Sequence, residues 1–84
     1  SGLDYSTLLQ KLLQQNGYTS DNSKHGVKSA LKDYEAVFHN GAPKWLDLVW
    51  PSIAVSLLHL ALSFKQPLPE KVDLPQEALK NGLR

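Results

Sequence analysis

The residues able to do chemistry in this chain are few, and they are spaced poorly for it. There are three histidines, His25, His39 and His59, and no cysteine. Histidine is then the side chain whose ordinary titration lies nearest neutrality. A zinc site wants three or four convergent ligands, commonly two of them one helical turn apart. No histidine pair here has that spacing, so no metal is expected. Ser56 or Ser63 with His59 and either Asp33 or Asp47 has the residue types of a hydrolase triad. Such a serine also needs a strained turn and free backbone amides to hold an oxyanion. Mid-helix amides are already bonded within the helix. The serines are better read as small residues that admit a neighbouring helix or bond back to the preceding turn. Gly2, Gly17, Gly26, Gly41 and Gly82 are isolated and form no phosphate cradle. No catalytic residue and no cofactor is assigned.

Three patterns point to binding instead. Trp45, Leu46, Leu48, Val49 and Trp50 crowd one short segment, too many apolar side chains to bury against a single neighbour. Either a bundle surrounds this segment, or it carries an exposed aromatic anchor of the kind enriched in interface hot spots. Lys24, Lys28 and Lys32 recur at helical spacing, with Lys44 further on, and could track phosphates. Asp33 and Glu35 interrupt that face, and no aromatic is interleaved to stack on bases. Leu9-Gln10-Lys11-Leu12-Leu13 places three leucines on one helical ridge, the geometry of a groove-docking helix and equally of an ordinary core stripe.

The elements that must hold these residues follow from composition. The chain has 84 residues, 42% of them hydrophobic, and a net charge of +1. That length makes one domain, expected to bury about 60–65% of the surface its unfolded chain exposes. Near-neutral charge removes the long-range electrostatic argument for a polyanionic partner. Sixteen leucines stand against five valines, one isoleucine and two threonines. Leucine keeps its rotamer freedom in helices, whereas β-branched residues suit strands. An all-α fold is expected. Without cysteine there is no disulfide framework, which fits an intracellular setting, cytoplasm and nucleus not being distinguished. The absence of methionine suggests a domain excised from a larger protein, with Ser1-Gly2 a cloning remnant.

The first helix should run from Tyr5 to Asn16, capped by Asp4 and stopped by Gly17, with Leu3 and Leu8 spaced as a hydrophobic staple. After a polar loop, offering Asp21 or Ser23 as cap, a second helix should cover Lys24 to His39. Val27, Ala30, Leu31, Tyr34, Val37 and Phe38 share one arc of about 120° on it. Asn40-Gly41 should end it. A short third helix is expected from Lys44 to Trp50, with Pro43 at its first position. Pro51 either kinks a continuous helix or opens a new one. The new helix is favoured, because a residue before proline avoids helical angles. From Pro51 to Phe64 apolar residues wrap roughly 220° of the wheel, leaving a stripe of Ser52, Ser56, His59 and Ser63. That helix belongs at the centre of the bundle, and it is too short and interrupted to be a membrane span. Pro67, Pro69 and Pro75 make an extended strap. A last short helix is expected from Pro75 to Asn81, with Leu68, Val72, Leu74 and Leu79 able to clip the tail to the bundle.

The expected architecture is a helical bundle over residues 1–66, four or five short helices in all, and a proline-rich strap over 67–84 on the same domain. The expected function is a non-catalytic protein–protein interaction or homodimerisation domain. Trp45, Leu46, Val49 and Trp50 form its apolar patch, and Ser56 and His59 mark where a second helix packs. The alternative is nucleic-acid binding through Lys24, Lys28, Lys32 and Lys44.

Overall fold

The computed structural model describes residues 4–14 and 24–80, the side chains of 24 and 25 excepted. Among the described residues there are three α-helices, α1 (Tyr5–Leu13), α2 (Lys24–Phe38) and α3 (Pro51–Phe64), and two 3-10 helices, Lys44–Leu48 and Gln76–Ala78. The fold is mostly helical, as composition required, with fewer full α-helices than four or five.

Each boundary has a local cause. Asp4 caps α1 as expected, its carboxylate accepting from the Thr7 amide at 2.8 Å. The helix ends at Leu13 with Gln14 as its C-cap. The expected partners Leu3, Gly17, Asp21 and Ser23 lie outside the described residues. At the end of α2 the stop is His39, not Asn40-Gly41. His39 takes a left-handed φ of 62°, and its amide donates to the Glu35 carbonyl at 2.9 Å. That single bond over four residues is the simple left-handed cap.

The segment expected as a third α-helix is a 3-10 helix that stops at Leu48. Pro43 precedes it in extended conformation and is its cap, not its first residue. Val49 and Trp50 are extended too. Pro51 excludes helical angles at Trp50. The tail then captures the extended pair: the Trp50 amide donates to Ala78 at 3.0 Å, the Lys80 amide to Leu48 at 2.9 Å, and Val49 bridges Leu79 antiparallel. Pro51 opens α3 as a new helix. This helix ends at Lys65, φ 55°, with Lys65 and Gln66 amides returning to Leu62 and Ala61. Those two nested bonds are a Schellman stop, after which Pro67 prevents any continuation.

The core is built around α3. Ile53, Leu57, Leu58 and Ala61 are fully enclosed, with Leu9 and Leu13 of α1, Ala30 and Tyr34 of α2, and Leu68 and Ala78 of the tail packed in the same cluster. The helix read as central from its wide apolar arc is central. The last expected helix shrinks to Gln76–Ala78, and Leu79 and Lys80 are drawn into the bridge. The radius of gyration is 12.2 Å, close to the ~12 Å of a globular chain this long, so the strap adds no extended arm.

Candidate interaction surface

The aromatic segment after α2 does not stand out from the surface. Trp45, Leu46 and Val49 are 8%, 4% and 1% exposed and belong to the chain's own core. Their side chains are enclosed within the chain, the bundle-surrounded alternative for this segment. The reason is the extended turn at 49–50. A 3-10 helix followed by two extended residues lets Trp45, Leu46 and Val49 all face the interior while Val49 also pairs with Leu79. Trp50 stays half-buried, and Leu48 is exposed. The leucine ridge of α1 is likewise internal: Leu9 and Leu13 are buried, Leu12 half-buried.

The α3 stripe faces outward from its middle to its C-terminal end: Ser56 is half-buried, His59 and Ser63 are exposed, and the Ser52 hydroxyl is enclosed. Lys28, Lys32 and Lys44 are exposed, while the Lys24 side chain is outside the described residues. Among the described residues, Val37, Leu48 and Phe64 are the large apolar side chains that stay exposed. Among the described residues no group of three His, Cys, Asp or Glu side chains comes together, and no helix is long and apolar enough to cross a membrane.

The most specific geometry lies where the strap crosses the helices. The Trp45 indole Nε1–H donates to the Pro69 carbonyl at 2.9 Å. The Leu68 amide donates to the Tyr34 hydroxyl at 3.0 Å in a buried site. The Tyr5 hydroxyl donates to the carbonyls of Gln66 and Pro67 at 3.1 and 3.2 Å. Three aromatic tips, one each from α1, α2 and the first 3-10 helix, thus satisfy four consecutive residues of backbone. The Leu68 side chain belongs to the buried core, 5% exposed. Ring contacts steady two of the tips: Tyr5 lies 5.4 Å from Phe64 and Tyr34 lies 4.6 Å from Phe38, centroid to centroid. Burial, with a smaller contribution from neighbouring Tyr34, pushes the Tyr5 phenol up to about 12. A proton held that firmly keeps Tyr5 a donor.

Sequence reasoning missed Tyr5 and Tyr34 as strap holders, although a signal existed. A tyrosine on an apolar stripe needs a partner for its hydroxyl. A Pro-Leu-Pro segment lacks two amide donors and so cannot be held by a regular ladder, which leaves its carbonyls to side-chain donors. The two requirements answer each other. An open cleft of about 530 Å³ runs beside this seam, lined by Tyr5, Leu9, Gln10, Pro67, Lys71 and Val72 among others. No family model, no curated protein and no solved structure matches this chain.

Proposed function

We propose that this chain is a non-catalytic helical interaction domain that associates with a second copy of itself. The observation supporting it most directly is the outward face of α3. The most apolar of the three α-helices keeps Ser56, His59 and Ser63 on one stripe, half-buried to exposed, while the Ser52 hydroxyl at its N-terminal end is enclosed. Short side chains let a second helix approach closely, and the apolar flanks of the stripe would be removed from water on contact. Half-buried Trp50, at the N-terminal end of α3, is the one aromatic of the expected patch still within a partner's reach. The cysteine-free composition supports an intracellular setting.

Light scattering on a size-exclusion column, at low and high salt, tests this reading. A dimer that survives high salt is expected, because apolar contact is hardly screened. Ser56→Arg and His59→Glu should each return a monomer with unchanged helical circular dichroism. A monomer at every concentration, or a dimer indifferent to both substitutions, rejects the reading. The exposed Lys28, Lys32 and Lys44 support a second one, phosphate-backbone binding. It predicts retention of an oligonucleotide that weakens steeply as salt rises.

A further inference from the structure

We propose that residues 70–74 of the strap are a free strand edge, and that it takes an extended peptide carrying a basic, an apolar and an acidic residue in succession. The peptide adds as an antiparallel strand. The strap keeps its place on the bundle, and the site is independent of the α3 face.

The backbone supplies the first observation. The anchors of the strap lie on either side of this run. Gln66 to Pro69 is held by Tyr5, Tyr34 and Trp45, while Leu79 and Lys80 are held by the pairing with Val49 and Leu48. Between these anchors, among the described residues, no hydrogen bond reaches the amides or carbonyls of 70–74. Exposure alternates along the run: Lys71 and Asp73 are exposed, Val72 and Leu74 half-buried against the core. That period of two is the pleat of a β-strand, whereas a polyproline helix repeats every three residues. An extended run with an unpaired row of donors and acceptors is the template for β-augmentation. Pro69 and Pro75 have no amide hydrogen and bracket the run, which confines pairing to it and so fixes the register.

The surroundings name the occupant. The open cleft of about 530 Å³ has Tyr5 and Leu9 of α1 in one wall and Lys71, Val72 and Asp73 in the other. A strand laid in it lies beside the strap, one face turned toward the bundle and the other toward solvent. Directly opposed residues of an antiparallel pair share a face. The residue opposite Val72 is therefore turned inward, toward Tyr5 and Leu9, and is apolar. Those opposite Lys71 and Asp73 are turned outward, beside an ammonium and a carboxylate, and are acidic and basic. Among the described residues neither charge has an ion-pair partner, so both are available. Read from its own N-terminus, the antiparallel partner is basic, apolar, acidic.

Two measurements on the full chain test this. A labelled, end-capped peptide, Thr-Lys-Val-Asp-Thr, is titrated by fluorescence anisotropy, and saturable binding is expected. Lys71→Glu should weaken it at least ~5-fold, and a peptide with lysine in place of the aspartate should restore it. Lys71 is exposed, so this variant keeps the helical circular dichroism of the unmodified chain. Hydrogen exchange on the unmodified chain is the second measurement. With peptide at ten times its Kd, amides of alternate residues within 70–74 should exchange about 10-fold more slowly, and those of α3 unchanged. Absence of binding, or binding without strap protection, overturns the edge. Binding indifferent to Lys71→Glu overturns the register and its charge pairing. Protection that rises with chain concentration in the absence of peptide makes a second copy the occupant and overturns an external partner. None of these outcomes bears on Ser56→Arg or His59→Glu, so the α3 reading stands or falls on its own test.

Discussion

Tyr34 carries more of this structure than its type suggests. Its ring is 2% exposed, and its hydroxyl is the acceptor for a buried backbone amide. Tyr34→Phe keeps the ring but leaves the Leu68 N–H without that acceptor, which costs about 1–3 kcal/mol. Tyr5→Phe removes a donor from two carbonyls that water can reach, so its cost is smaller, about 0.5–1.5 kcal/mol. Denaturant midpoints of the two variants should fall in that order; the reverse order would mean that water replaces Tyr34 without loss. The opposite sign is expected at His39. A left-handed φ of 62° strains any residue with a Cβ, and His39 is exposed, with its amide making the cap bond. His39→Gly should therefore stabilise the chain by about 0.5–1 kcal/mol, read as a higher melting temperature at constant helical content. Gly41, two residues on, lies outside the left-handed region. The sequence marks the neighbourhood of the stop but not the residue that executes it, since a glycine two residues on is the more obvious candidate for a left-handed φ.

Among the elements, the strap is the one whose role the sequence left open. Its prolines make it extended, and its Leu68, Val72 and Leu74 share one side of an extended chain, turned inward while Lys71 and Asp73 are exposed. Its attachment therefore depends on what the bundle offers. The bundle offers three polar tips, a pocket for Leu68 and an edge at Val49 that pairs with Leu79. Burying Leu68 alone contributes about 2 kcal/mol. For a domain this small, each kcal/mol corresponds to about 4–8 °C in melting temperature. Deleting residues 67–84 should thus lower the melting temperature by about 8 °C or more, and an unchanged value would mean that the strap is not held. The 3-10 helix before α3 follows from the same attachment. Lys44–Leu48 has the residues of an α-helix, but the proline at 51 and the pairing of Leu48 and Trp50 with the tail leave it only one short turn.

At the scale of the whole molecule, Tyr5 and Asp4 make stability depend on pH at opposite ends of the range. Tyr5 has a phenol pKa raised from 10.0 to about 12, so the folded state favours its neutral form. Its stabilising contribution is fully present below pH 10 and is lost as pH rises toward 12. Strap amides should lose protection across that window before the helices unfold, and Tyr5→Phe should abolish the early phase. Asp4 runs the other way. Hydrogen bonds from the Thr7 side chain and then its amide hold the Asp4 carboxyl below its ordinary 3.8, so the cap of α1 is present above that value and weakens as pH falls through it. The amphipathic stripes of α1 and α2, the wide apolar arc of α3, the Asp4 cap and the new helix at Pro51 were all legible from residue order, because each depends on neighbours within a turn or two. So was the outward Ser/His stripe. Whether Trp45 and Val49 faced solvent and where the strap lay were decided by contacts between residues far apart in sequence. Tyr5 reaches Gln66 and Pro67, Trp45 reaches Pro69, and Val49 reaches Leu79. Local periodicity states that a side chain is apolar and which face it shares; only the packed chain decides what meets it there.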